Sequence, residues 1–171
     1  MKLGLSLAAA ALVLDQLSKW AVVEHLFKPE IGVESLSLIE WYQSHLRLPF
    51  VQIEALPFFN FAMVWNEGIG LGMFGAAGPW VLIAVSLIIV GILGVWMHRN
   101  PSRYLHVALG LMIGGAIGNV IDRVRYHAVV DFLDFHIGDW HYPTFNVADS
   151  FIVIGVALLL LQSFFEGKVR T

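Results

Sequence analysis

Twenty consecutive residues, Gly78 to Met97, carry no charged side chain. At a rise of about 1.5 Å per residue, a helix of this length matches a bilayer hydrocarbon core of roughly 30 Å. The rest of the chain agrees, since 58% of its 171 residues are hydrophobic, only 13% are charged and the mean hydropathy is +0.74. A soluble domain of this length does not normally carry so much apolar surface. The chain is therefore predicted to lie in a membrane.

Three further segments approach the length needed to cross a bilayer. They lie at about residues 3–23, 104–121 and 150–165. The first resembles a secretory signal peptide, because Lys2 precedes an apolar stretch, but Asp15 and Lys19 interrupt it and no convincing cleavage site follows. We predict that it stays as a span, so that residues 1–171 form one membrane-embedded domain with four spans.

Basic residues flank these spans on one side only. They are Lys2, Arg99, Arg103, Lys168 and Arg170. The positive-inside rule places both termini in the cytoplasm, so residues 25–77 and 122–148 form the outer connections. A net charge of −3 with scattered basic residues argues against nucleic-acid binding. The absence of cysteine excludes disulfides, thiolate metal sites and a cysteine nucleophile.

The first outer connection is too long to be a simple loop. Residues 57–66 place apolar side chains at alternate positions, which predicts a strand with one apolar face. These side chains are Phe59, Phe61, Met63 and Trp65. Upstream, apolar residues between Glu34 and His45 predict a short helix lying on the bilayer. Four glycines at positions 68, 70, 72 and 75 relax the chain before the second span.

Asp15 and Lys19 lie four residues apart and share a face of the first helix. Either they neutralise each other, which permits burial, or they brace a site near the outer surface. A second acid, Asp122, lies at the outer end of the third span with Asn119 and Arg123. A carboxylate at a helix C-terminus opposes the helix dipole, so Asp122 needs a nearby cation such as Arg123 or Lys19.

The third span also carries a stripe of small residues at four-residue spacing. Its members are Gly110, Gly114 and Gly118. Such a stripe lets a second helix approach closely, so it is predicted to be a packing face.

Two acids beside the last span, Asp131 and Asp149, are the strongest candidates for chemistry. A carboxylate at the edge of the hydrocarbon core is energetically unfavourable, so it usually belongs to a functional site. Taken singly, Asp149 could be the N-cap of the fourth helix and Asp131 a solvated loop acid. Together with Asn66, Asn119 and Asn146, they place more polar side chains at one level of the membrane than helix packing alone would require.

Histidines in the second outer connection offer an alternative metal site. The possible pairs are His127 with Asp131, Asp134 with His136, and Asp139 with His141. No spacing among them repeats a recognised ligand motif, so no metal and no cofactor are predicted.

Five ordered motifs resemble those of the lipoprotein signal peptidases (signal peptidase II) of bacteria. They are Asp15-Gln16-Leu17-Ser18-Lys19, Asn66-Glu67-Gly68, Gly114-Gly115-Ala116-Ile117-Gly118-Asn119-Val120-Ile121-Asp122-Arg123, Val129-Val130-Asp131-Phe132, and Phe145-Asn146-Val147-Ala148-Asp149. They extend from the first span to the last. The chain departs from the family in a longer stretch before Asn66 and in the sequence Ile-Gly-Leu-Gly at residues 69–72.

The resemblance implies an all-α membrane protein with four transmembrane helices and a small β-sheet cradle outside the membrane. The interfacial helix predicted between Glu34 and His45 is an addition that the family pattern does not include. The resemblance also implies a multi-pass aspartyl endopeptidase of the bacterial inner membrane, with its active site at the outer face. Its partners would be membrane lipids and a prolipoprotein, cleaved before the diacylglyceryl-modified cysteine. By motif position, Asp131 and Asp149 correspond to the catalytic pair. The matching site-lining or supporting positions are Asp15, Lys19, Asn66, Gly68, Asn119, Asp122, Arg123 and Asn146.

The chemistry of two carboxylates suits this activity. Carboxylates that share a site cannot both ionise cheaply, so one holds a proton while the other acts as a base toward water. We expect Asn66, Asn119, Arg123 and Asn146 to hold the substrate backbone by hydrogen bonds. Two other hypotheses stay open: a proton or ion transporter that uses Asp15, Lys19 and Asp122 as a relay, and a structural scaffold built on the glycine stripe.

Overall fold

Four helices in the computed structural model are long and apolar enough to cross a membrane, counted over residues 1–68 and 78–169, which the structure describes. Side chains are described as far as Phe164. The four spans are Lys2–Glu30, Gly78–Arg99, Arg103–Tyr126 and Val147–Phe164. The four predicted spans are confirmed, although each of them extends beyond its predicted bounds at one end or both. The glycines at 70, 72 and 75 and the sequence at 69–72 lie outside the described residues.

The first span is a composite helix. Helix α1 (Lys2–Val22) continues through a π-helical turn at Val23–Phe27 into the short α2 (Lys28–Glu30). The helix continues past the predicted end at residue 23 because the chain satisfies its polar groups locally. Glu24 is fully buried, and its Oε2 lies 2.8 Å from Lys28 Nζ one turn further on.

The remaining elements follow in chain order. They are α3 (Leu38–Gln43), β1 (Gln52–Leu56), β2 (Phe59–Asn66), α4 (Gly78–Arg99), α5 (Arg103–Tyr126), β3 (Val129–Ile137), β4 (Trp140–His141) and α6 (Val147–Val169). They fall into two compact units. The helical unit comprises residues 1–15, 84–120 and 147–171, and the sheet unit comprises residues 16–83 and 121–146. The single-domain assignment stays a prediction.

Close contact between α1 and α5 organises the helical unit. A Cβ added at Gly110 would come within 2.5 Å of the carbonyl oxygen of Gly4, and one at Gly114 would overlap the carbonyl oxygen of Ala8. One turn further on, a Cβ at Gly118 would overlap the carboxylate of Asp15. The predicted packing face is therefore confirmed, because the stripe lets one backbone rest on the other.

The sheet unit contains a four-stranded antiparallel sheet in the order β1-β2-β3-β4. The predicted strand at 57–66 is confirmed as β2, but its predicted apolar face is wrong in part. Phe59, Phe61 and Trp65 are only half-buried, whereas Asn60 and Ala62 are buried with Met63. The cause is an irregular register with β3 between Phe61 and Val64, since a bulge changes which residues face the same side.

The predicted surface helix exists as α3, which is shorter than the segment from Glu34 to His45. A capping box starts it: Ser37 Oγ accepts from the Glu40 amide, and Glu40 Oε2 accepts from the Ser37 amide at 2.9 Å. The Ser37 hydroxyl bond, followed by the bond from its amide, lowers the pKa of Glu40 below its ordinary value. Trp41 is buried on one face of α3, while Ile39 and Tyr42 are exposed.

Candidate active site

Asp131 is the third residue of β3 and is only 1% exposed. Its solvated-loop interpretation is wrong, because it lies in the β2–β3 ladder opposite Val64. Two amides hold its carboxylate: Asn146 Nδ2 donates to Oδ1 at 2.7 Å, and Asn66 Nδ2 donates to Oδ2 at 2.9 Å. Both carboxylate oxygens thus accept a directed hydrogen bond, which limits rotation of the side chain.

Asp149 lies in the first turn of α6, two residues after the helix begins at Val147. The N-cap interpretation is wrong for this reason, since a cap residue precedes the first helical residue. Asn119 Nδ2 donates to Asp149 Oδ1 at 2.8 Å. The position is electrostatically favourable, because the N-terminus of a helix stabilises negative charge.

The three asparagines therefore have a role that the sequence did not reveal. They were expected to hold the substrate backbone, whereas in the structure each Nδ2 donates to a candidate catalytic aspartate. Arg123, the fourth residue in that expectation, is half-buried on α5.

Asp122 is fully buried near the C-terminal end of α5 and accepts three bonds within the sheet unit. Lys19 Nζ lies 2.7 Å from Oδ2, which confirms that this acid is paired with a cation. Gln16 Nε2 donates to Oδ1 at 3.1 Å, and the amide of Val130 donates to Oδ2 at 3.2 Å. The last bond ties Asp122 to the residue that precedes Asp131.

Asp15 occupies the equivalent bracing position in the helical unit. It is fully buried, and its Oδ1 accepts the amide of Ala148 at 3.0 Å. Ala148 immediately precedes Asp149, so Asp15 fixes the start of α6. The hypothesis that Asp15 and Lys19 brace a site is thus supported by the bond of Asp15 to the Ala148 amide and by the ion pair of Lys19 with Asp122.

Gly68 meets a conformational requirement after β2. Its φ is +96°, a region that residues with a Cβ rarely adopt. Its amide donates to Asn66 Oδ1 at 2.9 Å, which orients the Asn66 side chain with its Nδ2 toward Asp131.

The histidines of the second outer connection pair differently from the alternative that was considered for a metal site. Asp134 bonds to His141, at 2.8 Å, and His136 stacks on the His141 ring. Among the described residues, no group of three or more His, Cys, Asp or Glu side chains is arranged to hold a metal ion. Burial raises the pKa of Asp134, but hydrogen bonds from His141 and Asn60 outweigh it and hold that pKa below the ordinary value.

Sequence reasoning missed several polar contacts within the sheet unit. Gln16 belongs to the first of the five motifs, but no role was assigned to it. The ion pair of Glu24 and Lys28 could have been predicted, because the two residues are four apart in a helix. The amide of Val130 and the guanidinium of Arg47 left no sequence signal, because separations of 8 and 20 residues that cross from one element to another follow no helical or strand repeat.

The sequence profile of the family described as Signal peptidase (SPase) II matches residues 7–165. The chain belongs to the signal peptidase II family. This confirms the resemblance read from the five motifs and makes the chain a membrane peptidase. Neither the family match nor the relatives named below support the transporter hypothesis.

Relatives named lipoprotein signal peptidase share much of the sequence. The protein of Methylobacterium sp. (strain 4-46) is 41% identical over 94% of this chain and 88% of its own length. That of Sphingopyxis alaskensis is 40% identical over 98% of this chain and 88% of its own length. The protein of Methylorubrum extorquens (strain PA1) is 54% identical, but the alignment covers only 63% of this chain and 64% of the relative.

Solved structures show the same fold. A bacterial membrane enzyme determined by the in meso method at 2.3 Å superposes with a TM-score of 0.74, covering 100% of this chain and 93% of that one at 24% identity. A second such structure, at 1.9 Å, gives a TM-score of 0.73 over 95% of this chain and 92% of the other, also at 24% identity. The predicted fold class, four spans with a small antiparallel sheet, is confirmed.

Proposed function

We propose that the chain removes the signal peptide from diacylglyceryl-modified prolipoproteins by an aspartic mechanism in which Asp131 and Asp149 are the catalytic pair. The substrate class is supported by the relatives, which are named lipoprotein signal peptidases. The observation that most supports the aspartic chemistry is the buried Asp131 carboxylate with an asparagine amide on each of its oxygens.

In this mechanism the two carboxyl groups titrate as one coupled unit that carries a single proton. The ionised member takes a proton from water as that water attacks the scissile carbonyl, and the protonated member donates to the carbonyl oxygen. The tetrahedral species then collapses as a proton reaches the leaving amine. No metal or cofactor takes part in these steps.

The asparagines prepare the pair for this chemistry. Asn66 and Asn146 orient Asp131, and Asn119 orients Asp149, so that neither acid has to reorganise during the reaction. Asp122 and Asp15 act one step further away, since each holds the backbone amide of the residue before a catalytic aspartate. Lys19 neutralises Asp122.

The substrate reaches these acids from the lipid phase. The positive-inside rule puts both termini in the cytoplasm and the sheet unit at the outer face of the inner membrane. A peptide bond beside a diacylglyceryl-cysteine is held at the interface by its acyl chains, which supply roughly 0.8 kcal/mol per buried CH₂. Arg123, which is half-buried near the end of α5, is the residue that we expect to orient the peptide.

The test is cleavage of a synthetic diacylglyceryl precursor peptide by the purified protein. Wild type should release the signal peptide, whereas Asp131→Asn and Asp149→Asn should each abolish turnover while remaining folded. The matched control is Asp139→Asn, since Asp139 is exposed in the turn between β3 and β4. Substantial turnover by either active-site variant would remove that residue from the mechanism. The double variant should be no worse than either single one.

A further inference from the structure

Residues 44–51 connect α3 to β1 and lie outside the regular elements, yet they are fastened at several points. His45 Nδ1 lies 3.0 Å from the carbonyl oxygen of Arg125. Trp65 Nε1 donates to the carbonyl oxygen of Leu48 at 2.8 Å. We call residues 44–51 the strap. It belongs to the long stretch before Asn66 in which this chain departs from the family pattern.

The central residue of the strap, Arg47, binds two separate parts of the sheet unit. On one side, its Nε donates to the carbonyl oxygen of Tyr126 at 3.0 Å, and its Nη2 donates to the same oxygen. On the other side, its Nη1 lies 2.7 Å from Glu67 Oε1. Its guanidinium also lies 5.4 Å from the centre of the Trp65 ring.

These contacts surround Asn66. Trp65 and Glu67 are its two neighbours in the chain, and Arg47 touches both. Tyr126 is the last residue of α5, three residues before β3 begins at Val129. Val129 is the ladder partner of Asn66. Arg47 therefore joins the end of β2 to the chain that enters β3, at the end of the ladder nearest Asp131.

We propose that Arg47 is a positioning residue for the reaction: it keeps the Asn66 amide on Oδ2 of Asp131. This inference rests on the function proposed above. Arg47 has no bond to Asp131 and acts only through Asn66. A guanidinium suits this role, since its planar fork can bind a carbonyl and a carboxylate at once, which a lysine ammonium does less well.

The experiment compares two strap variants that loosen the strap at different points. Arg47→Ala releases the neighbours of Asn66, whereas His45→Ala releases the contacts with the Arg125 carbonyl and the Tyr126 ring and leaves both neighbours of Asn66 bound. Arg47→Ala should lower kcat about tenfold with little change in KM, because a small misplacement of a reacting group is costly. His45→Ala should leave kcat close to wild type, and Arg47→Lys should be intermediate.

A double-mutant cycle separates positioning from general stabilisation. If Arg47 acts through Asn66, the variant Arg47→Ala/Asn66→Ala should have the same kcat as Asn66→Ala alone. Equal kcat values for Arg47→Ala and His45→Ala, or additive losses in the cycle, would overturn the inference. If Arg47→Ala does not fold, Glu67→Gln replaces it in the same cycle. This variant weakens the bond between Arg47 and the residue that follows Asn66, and it keeps the bonds of Arg47 to Tyr126. The proposed function stands or falls separately, on cleavage by wild type and its loss in Asp131→Asn.

Discussion

Lys19 Nζ lies 2.7 Å from Asp122 Oδ2, and both side chains are fully buried. The pair joins the middle of the first span to the end of the third, and through Asp122 it reaches the amide of Val130, next to Asp131. A charge buried here is tolerated only because its partner is present, since an unpaired ion in such surroundings is strongly unfavourable.

Replacing Lys19 with methionine should therefore destabilise the protein by about 3–5 kcal/mol, because it leaves the Asp122 charge uncompensated. The variant Lys19→Met/Asp122→Asn should recover part of this loss, since the buried charge is then absent. Unfolding by SDS in mixed micelles measures both. A single variant as stable as the double one would show that the ion pair contributes little.

The glycine stripe predicts a sharp contrast between two leucine substitutions. Gly114→Leu should cost about 1–3 kcal/mol or more, because its side chain would meet the backbone of Ala8 and the side chain of Ala11. Gly91→Leu on α4 should be tolerated, since within the described residues the added Cβ has no neighbour inside 4 Å apart from the adjacent residues and backbone of its own helix. Thermal unfolding in detergent compares the two, and equal melting temperatures would argue against close packing at Gly114.

Acid stability should depend on His141. The pKa of Asp134 is lowered in the folded protein by its bonds to His141 and Asn60, against the effect of burial. A carboxyl with a depressed folded pKa adds stability above its unfolded pKa of about 3.9, and that stability is lost as the pH falls through the folded pKa. Removing His141 raises the folded pKa and so reduces the stability gained above it.

The variant His141→Gln should accordingly unfold at a higher pH on acidification than wild type does. His136→Gln should shift the midpoint less, because His136 is only a lesser, coulombic contributor to the lowered pKa of Asp134. Circular dichroism during acid titration provides the midpoints. The reverse order of the two midpoints would mean that His141 is not the main partner of Asp134.

The orientation is testable because the chain has no cysteine, so single cysteines report one position each. Arg99 and Asp139 are both exposed. By the positive-inside rule, Arg99→Cys should react with a membrane-impermeant maleimide only after the membrane is opened, and Asp139→Cys should react in intact cells. Labelling of both positions from outside would mean that the assigned orientation is wrong.

Lipidation of the substrate should control cleavage. The proposed acids lie on β3 and at the start of α6. A peptide without a lipid anchor would have to reach them from water and lose its conformational and translational freedom there, with no buried acyl chain to offset that loss. Lipidated precursor should be cleaved much faster than the same peptide without the diacylglyceryl group, measured in one detergent. Equal rates would refute the anchoring argument.

The positions of the spans were predictable because hydrocarbon thickness acts on local composition. About twenty apolar residues are needed to cross, and this requirement can be recognised within a short window. The same holds for the glycine stripe and for β2, whose patterns repeat every four and every two residues. The exact ends were not predictable: the first span continues past residue 23 because the buried Glu24 binds both Lys28 and the amide of Leu36 after folding.

The sequence by itself determined the family, the four spans and the identity of the candidate acids, since each depends on residue types at short spacing. Only the tertiary structure decided which donor reaches which acid. Asn66 and the Asp131 that it binds are 65 residues apart in the sequence, and Lys19 and Asp122 are more than 100 apart. A β-bulge in the β2–β3 ladder also changed which face of β2 is buried. Hydrogen bonds and ion pairs act over about 3 Å in space and are indifferent to distance along the chain, so these partners are known only once the chain has folded.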